Sequence, residues 1–171
     1  MVTSDIVPFD AKRYPIDNKK NLRIGIVLSE WNHGIIERLK SNCVRRFKEL
    51  SVADTQLTFF SVPGSFELPW GAKQFLTKGG FDGIICFGCV IQGETKHDDY
   101  LNHAVAKAIM TINLASHVPI VLGVLTTNTL DQAKERSGGT KGNKGAECAE
   151  AIIKMISASH ELKSRKTKIG F

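Results

Sequence analysis

The feature that most constrains the fold is an apolar run that leads directly into a polar segment. Residues 83–91 are almost all apolar, which predicts a β-strand covered on both faces of a parallel sheet. Residues 92–97 (QGETKH) then turn polar. Ligands of open parallel sheets bind beyond the carboxyl ends of the strands, where helix N–H groups favour anions, so we expect a binding site here. The alternative is a loop in which a threonine or aspartate caps the next helix.

Similar runs recur along the chain and alternate with helical patterns. We predict further strands over residues 22–29, 57–62 and 120–126, a helix after each of the four strands, and a last helix over residues 146–162. Thr129 and Gln132 have capping-box spacing, and the glycine-rich stretch 137–145 separates their short helix from the last one. The pattern predicts one α/β domain, residues 1–171, with a four-stranded parallel sheet between two helix layers. An N-terminal arm (1–21) and a basic C-terminal tail (163–171) flank it.

Composition excludes several classes of protein. The 171 residues are 42% apolar, yet no segment approaches the roughly 20 apolar residues of a membrane span. Residues 1–21 have neither the apolar core of a secretory signal nor the make-up of a transit peptide, so we expect a cytoplasmic location. The net charge of +6 comes largely from residues 163–168, which lack an aromatic platform. We therefore expect a solvated tail and no nucleic-acid partner.

The cysteines include one C-x-x-C pair, Cys86 and Cys89. Strand positions three apart point to opposite faces, so these two thiols cannot jointly hold a metal or form a disulfide. Cys43 and Cys148 lie in helical patterns. We interpret all four as small buried residues in a reducing compartment, with no metal site.

The predicted parallel sheet brings four polar segments to one edge. They are residues 29–32, 63–67, 88–97 and 126–127. Together they supply an aromatic ring, an amide, a carboxylate, an imidazole and backbone N–H groups. This set suits a flat, hydrogen-bonding heterocycle with a polyol and a phosphate nearby.

Motifs in these segments, in order from about residue 22 to 155, resemble one family. They are Trp31-Asn32, residues 64–69 (GSFELP), residues 93–97 (GETKH) with Asp99-Tyr100, residues 123–126 (GVLT), and Glu135-Arg136 ahead of residues 141–144 (KGNK). The chain is thus similar to 6,7-dimethyl-8-ribityllumazine synthases. The resemblance implies a flavodoxin-like three-layer α/β/α sandwich and a transferase with no metal or organic cofactor. It also implies the penultimate step of riboflavin synthesis, in which 5-amino-6-(D-ribitylamino)uracil condenses with 3,4-dihydroxy-2-butanone 4-phosphate and releases phosphate and water.

The resemblance implies a set of residues for the ribitylaminouracil. Trp31 would stack on the pyrimidine, and Glu67 would accept hydroxyl hydrogen bonds. The full set is Trp31, Asn32, Ser65, Phe66, Glu67, Cys89, Val90, Ile91 and Leu122. Leu122 stands where many members carry phenylalanine, which removes a ring contact. Taken alone, Trp31 could equally be a hydrophobic plug at the end of a strand. Without the resemblance, the simpler interpretation is that Ser65 is an N-cap and that Glu67 is an acid in the first turn of a helix.

The butanone phosphate is assigned to Glu94, Thr95, Arg136 and Lys144 by the same resemblance. Arg136 offers a bidentate fork for a dianion, and Lys144 is a longer-range helper. On spacing alone, both cations could instead be surface partners of Asp131, Glu135 or Glu147.

His97 is implied as the proton carrier, since imidazole titrates near neutrality and the reaction moves protons in successive steps. The remaining histidines, His33, His103, His117 and His160, form no cluster, and we expect no ligand role for them.

Two other classes of protein have a comparable architecture. A flavodoxin-like electron carrier would need a Ser/Thr/Gly phosphate loop after the first strand, which residues 29–34 (SEWNHG) do not supply. A non-catalytic shell or flavin-storage protein stays open, although Glu67, His97 and Arg136 argue for the enzyme.

The arm predicts a homo-oligomer. Its apolar residues Ile6, Val7, Pro8 and Phe9 have little of their own domain to pack on. The resemblance implies pentamers, in which neighbouring subunits share each active site, or shells of 60 subunits. The short connection over residues 138–142 favours the shell.

Overall fold

Four parallel strands form the centre of the protein. The computed structural model describes residues 8–16 and 19–165. The strands are β1 (Ile24–Ser29), β2 (Leu57–Val62), β3 (Gly83–Ile91) and β4 (Ile120–Thr127), and they lie in the order β2-β1-β3-β4. The helices are α1 (His33–Glu49), α2 (Leu68–Lys78), α3 (His97–Ala115), α4 (Leu130–Arg136) and α5 (Lys144–Arg165), and a small antiparallel hairpin joins β5 (Ser137–Gly139) to β6 (Gly142–Asn143).

Alternation along the strands divides the core into two layers. In β1, Ile24 and Ile26 face a cluster built with α1 and α5, whereas Val27 faces a second cluster built with α2 and α3. Strands covered on both faces must be apolar throughout, which is why β1 and the first seven residues of β3 are fully buried. The predicted three-layer, flavodoxin-like α/β/α sandwich is confirmed.

The strand order also fixes where a ligand can bind. From β1 the chain crosses to β2 on one side and then returns to β3 on the other side of β1. The segments that follow β1 and β3 therefore diverge, and they leave a crevice beyond the carboxyl ends of these strands.

Most predicted boundaries agree with the structure to within one residue, and three differ by more; one of these is the end of the last helix, which extends to Arg165 rather than residue 162 and so includes the first three residues of the predicted tail. β1 begins at Ile24 rather than residue 22, because Lys19–Asn21 forms a short 3₁₀ turn before it. The last helix begins at Lys144 rather than residue 146, and the glycine-rich stretch before it contains the hairpin. Hairpin strands of two and three residues are too short to produce a periodic pattern.

The prediction that the arm has little of its own domain to pack on is wrong for Phe9. Its ring stacks on Tyr14 with centroids 5.5 Å apart, and both rings pack against the core beside α1 and α5. The Arg46 guanidinium and the Lys154 ammonium each lie 5.5 Å from the Phe9 ring centroid. Ile6, Val7 and residues 166–171 of the basic tail lie outside the described residues.

The cysteines occupy the positions expected of them. Cys86 belongs to the core cluster on the α2–α3 face and Cys89 to the cluster on the α1–α5 face. All four cysteines are buried and free. In residues 8–16 and 19–165, no helix is long and apolar enough to cross a membrane.

Candidate active site

A cavity of about 400 Å³ opens in the crevice beyond β1 and β3. It brings together His97 and all the residues predicted for the ribitylaminouracil except Leu122. The lining residues are Trp31, Asn32, Gly64, Ser65, Phe66, Glu67, Cys89, Val90, Ile91, His97 and Leu101. They come from four separate segments of the chain, and the sheet edge unites them.

Asn32 holds the crevice together through its backbone and its side chain. Its backbone is left-handed, with φ of 56° and ψ of 41°, a conformation that asparagine tolerates better than most residues. Its carbonyl oxygen accepts the first hydrogen bond of α1, from the Ile35 amide. Its side-chain Nδ2 donates to the Cys89 carbonyl oxygen at 2.9 Å, which ties the end of β3 to the start of α1. Asn32 therefore shapes the pocket as well as lining it.

Glu67 closes the turn that follows β2. Its Oε2 accepts a hydrogen bond from the Gly64 amide at 2.9 Å, and a 3₁₀ turn runs from Ser65 to Glu67 before α2 begins. A β-carbon at Gly64 would lie 3.1 Å from that oxygen, so glycine lets the carboxylate approach. Oε1 of Glu67 makes no hydrogen bond to the described residues and remains available to a ligand. Ser65 beside it is buried, with 5% exposure, and it is not the N-cap that local spacing suggested.

Two large aromatic side chains at this rim have little cover. Trp31 is 73% exposed and Phe66 is 60% exposed, although both line the cavity. An aromatic ring of this size is normally buried. The plug interpretation of Trp31 is therefore wrong, and its face is available for stacking.

The end of β3 forms the floor of the cavity. Cys89 is buried there, while Val90 and Ile91 are half-buried. Burial raises the pKa of the Cys89 thiol to about 11, so the thiol is protonated and unreactive at neutral pH. The contribution of Cys89 is accordingly one of shape and backbone polarity.

His97 and Leu101 reach the cavity from the first turns of α3. His97 is the first residue of the helix and its ring is exposed, with no hydrogen bond to any described residue. Leu101 lies four residues later on the same helix face. Sequence reasoning missed Leu101, and this spacing from His97 was the available signal.

Glu94 and Thr95 lie between β3 and α3 and are exposed, but they do not line the cavity. Their backbone amides make no hydrogen bond within the described part of the chain. They precede a helix of 19 residues, whose first amides are also without intrahelical partners. The segment thus has free donors for an anion, at the edge of the cavity.

The structure does not bring Leu122, Arg136 or Lys144 into this cavity. Leu122 is exposed on β4 and lines a second cavity of about 330 Å³, whose other walls are formed by α3 and β4. Lys144 pairs with Glu147 at 2.7 Å, as the surface-partner interpretation expected. Arg136 is exposed at the end of α4 and forms no ion pair among the described residues, while Asp131 pairs with Lys134 and Glu147 with Lys144.

No group of three or more histidine, cysteine, aspartate or glutamate side chains that could hold a metal ion occurs in the described ranges. The chemistry available at the cavity consists of a carboxylate oxygen, an imidazole, a hydroxyl and backbone polar groups.

Comparison with known proteins assigns the family. The sequence model for 6,7-dimethyl-8-ribityllumazine synthase matches residues 21–160, which include every residue of the cavity. The chain belongs to this family. A 6,7-dimethyl-8-ribityllumazine synthase of Phocaeicola vulgatus is 40% identical over 154 residues, which cover 90% of each chain.

Two other lumazine synthases are similar to the same degree. The enzyme of Bacteroides fragilis is 42% identical over 135 residues, 79% of this chain and 94% of the relative. The enzyme of Flavobacterium johnsoniae is 45% identical over 140 residues, 82% of this chain and 74% of the relative. As a member of the lumazine synthase family the chain is a transferase, and its cavity lies within the part that the family model matches.

Proposed function

We propose that the cavity beyond β1 and β3 is where this enzyme condenses 5-amino-6-(D-ribitylamino)uracil with 3,4-dihydroxy-2-butanone 4-phosphate. The reaction gives 6,7-dimethyl-8-ribityllumazine with release of phosphate and water, and it is the penultimate step of riboflavin biosynthesis. One observation carries the proposal. The residues that the family resemblance assigns to the ribitylaminouracil, except Leu122, converge with the proposed proton carrier His97 on a single cavity of about 400 Å³.

The uracil ring stacks on the exposed face of Trp31. Its edge meets the backbone groups of Cys89, Val90 and Ile91, where strand β3 ends. Asn32 keeps these groups in place through its bond to the Cys89 carbonyl. A planar polar ring is thus bound by stacking on Trp31 and by hydrogen bonds from its edge to backbone groups.

The ribityl chain lies along the turn between β2 and α2. Glu67 accepts from its hydroxyl groups through Oε1, the oxygen that the Gly64 amide leaves free. The Ser65 hydroxyl and the Phe66 ring complete this side of the pocket.

The phosphate of the second substrate is bound by charge and backbone amides. Glu94 and Thr95 contribute free amides and a hydroxyl at the start of α3. Arg136 contributes a guanidinium with no competing ion pair in the described residues, and Lys144, held by Glu147, acts at longer range.

His97 carries protons between successive steps. Attack of the amine on the ketone gives an imine and water, elimination then releases phosphate, and ring closure with loss of a second water completes the lumazine. Each step needs a proton added to or taken from the reacting atoms, and an imidazole at the rim of the cavity can do both.

The working unit is a homo-oligomer, a pentamer or a shell of twelve pentamers, in which two subunits complete each site. Leu122, Arg136 and Lys144 do not line the cavity of their own chain, which supports their supply by a neighbour. Exposed apolar side chains on α3 and β4, among them Met110, Leu114 and Leu122, offer a surface for that contact. We place the enzyme in the cytoplasm, where thiols like these four stay reduced.

The test is to mix the purified protein with both substrates and follow the lumazine chromophore. We expect turnover that saturates in each substrate and that inorganic phosphate inhibits competitively against the ketone. Trp31→Ala and Glu67→Ala should weaken binding of the uracil substrate. A folded protein that forms no lumazine, or unchanged kinetics in both variants, would refute the proposal.

A further inference from the structure

Arg136 extends from a backbone that is held on both sides. On one side, Nδ2 of Asn42 donates to the carbonyl oxygen of buried Ser137 at 2.8 Å, and this hydrogen bond fixes the chain to α1. The Ser137 hydroxyl donates to the Lys134 carbonyl at 3.0 Å. These contacts fix the end of α4, whereas the Arg136 side chain itself is exposed and makes no hydrogen bond or ion pair in the described residues.

On the other side, Glu135 is bound to the tip of the hairpin. Its carboxylate accepts from the Thr140 amide at 2.8 Å and from the Thr140 hydroxyl at 2.5 Å. Its carbonyl oxygen accepts from the Lys141 amide at 3.3 Å. Glu135 therefore joins the last turn of α4 to the β5–β6 turn through both its side chain and its backbone carbonyl.

Charge and packing both favour this arrangement. The hydrogen bonds from Thr140, with help from Lys141 and Arg38, lower the pKa of Glu135 below its ordinary value, so the carboxylate is ionised at neutral pH. Gly139 packs directly on α4, since a β-carbon there would lie 2.7 Å from the Glu135 Cα. The hairpin cannot shift without moving the helix end that carries Arg136.

We propose that Glu135 is a positioning residue for the phosphate-binding arginine. By holding Thr140, its carboxylate fixes the backbone from which Arg136 reaches the phosphate of the ketone substrate. This inference rests on the phosphate role proposed above for Arg136. An arginine that binds phosphate in a bidentate way needs a fixed backbone, because its two parallel hydrogen bonds tolerate little displacement of the guanidinium.

Glu135→Ala and Thr140→Val should raise the KM for the butanone phosphate about tenfold, the factor of one ordinary hydrogen bond. The inhibition constant of inorganic phosphate should rise in parallel. The KM for the ribitylaminouracil should stay within about twofold, since its residues lie on other elements. Thr140→Ser keeps the hydroxyl donor, so its KM for the ketone should stay close to that of the parent enzyme.

Asp131→Asn is the matched control, because it removes an exposed carboxylate from the same helix and breaks only the pair with Lys134. It should leave both KM values unchanged. If Glu135→Ala fails to fold, Thr140→Val carries the test, since it deletes one hydroxyl and retains the backbone amide that Glu135 binds.

A double-mutant cycle separates this inference from the proposed function. If Arg136→Ala raises the ketone KM and Glu135→Ala has no further effect in that background, Glu135 acts on the ketone through Arg136. Additive effects of Glu135→Ala and Arg136→Ala on the ketone KM would overturn the positioning role alone. So would a lower Tm in Glu135→Ala and Thr140→Val if the ketone KM and the inhibition by phosphate stayed unchanged. An unchanged ketone KM in Arg136→Ala would overturn the phosphate assignment itself.

Discussion

His97 begins α3 with an exposed ring at the rim of the cavity, and its effect on turnover should be limited. General acid–base catalysis contributes about 10² to 10⁴-fold, while holding two reactants in register contributes as much or more. Because the two substrates are already reactive, His97→Gln should lower kcat by about one to three decades. Steady-state rates of lumazine formation measure this.

Two results would contradict that expectation in different ways. Total loss of activity in a folded His97→Gln enzyme that still binds both substrates would show that proximity is not dominant. An unaltered rate would remove His97 from the proton-transfer steps. His160→Gln, on α5 and outside both cavities, is a suitable control.

Arg136 should act on one substrate only. A charge-assisted hydrogen bond is worth about 1.5 to 3 kcal/mol, so Arg136→Ala should raise the KM for the ketone phosphate by about one to two decades. The KM for the uracil should change far less. Should ketone affinity persist, Lys144 becomes the first alternative for the phosphate.

The buried thiols should make stability depend on alkaline pH. Burial raises the pKa of Cys89 to about 11 and that of Cys148 to about 12, and it also raises the pKa values of Cys43 and Cys86. Above the ordinary thiol pKa the unfolded chain loses these protons while the folded chain keeps them. The unfolded state then binds fewer protons, so the free energy of unfolding falls as pH rises.

Urea unfolding between about pH 8 and about pH 10.5, under reducing conditions, measures this slope. Each buried thiol should contribute about 1.4 kcal/mol per pH unit once its unfolded form has ionised. Cys148→Ala should therefore reduce the slope of the free energy of unfolding against pH by about 1.4 kcal/mol per pH unit, the contribution of one proton. An identical slope in this variant would show that Cys148 does not contribute.

At the scale of elements, close approach of two helices decides how the α1–α5 layer is built. Gly145, near the start of α5, lies directly against α1: a β-carbon there would overlap the Leu39 carbonyl oxygen and lie 3.1 Å from the Asn42 Cβ. Asn42 is also the residue that fixes Ser137 ahead of the hairpin. Packing of α5 and placement of the Arg136 segment thus both involve Asn42.

Gly145→Ala should destabilise the protein by about 1–3 kcal/mol, because overlap with backbone atoms cannot be relieved by a side-chain rotation. Gly34→Ala is the matched control. Gly34 lies in the first turn of α1, and a β-carbon there would have no neighbouring atom within 4 Å, so alanine should be neutral or stabilise by up to about 1 kcal/mol. Thermal unfolding of both variants compares them, and equal Tm values would refute the close-approach argument.

At the scale of the whole molecule, large apolar side chains are exposed in two sets of elements. Trp31 and Phe66 are exposed at the rim of the cavity, and Met110, Leu114 and Leu122 are exposed on α3 and β4. Leu114 alone is 81% exposed. Apolar surface of this kind marks contact sites, and the proposed oligomer would cover the cavity rim of one subunit with α3 and β4 of the next.

A shared site can be tested by mixing two inactive subunits. In an equal random mixture of Glu67→Ala and Arg136→Ala subunits, about a quarter of the interfaces join two intact halves, so that fraction of activity should return. Each variant assembled alone is the control. Sedimentation should show a pentamer or a larger shell, and a fully active monomer would contradict the model of shared sites.

The sequence by itself determined the order of elements and the edge at which the site lies. Strand β3 is apolar on both faces and residues 57–62 were predicted without error, because such patterns depend only on neighbouring residues and on a buried sheet. Parallel strands share one carboxyl edge, so Trp31, Glu67 and His97 could be grouped from their places in the sequence. Their roles came from the family resemblance, since composition does not choose a ligand.

Only the tertiary structure decided how the segments at that edge are held. The bond from Asn32 to Cys89 joins residues 57 positions apart, and the bond from Asn42 to Ser137 joins residues 95 positions apart. The packing of Phe9 under Arg46 and Lys154 likewise depends on helices far along the chain. Local periodicity contains no information about such contacts, because they form only when the whole sheet and both helix layers are assembled.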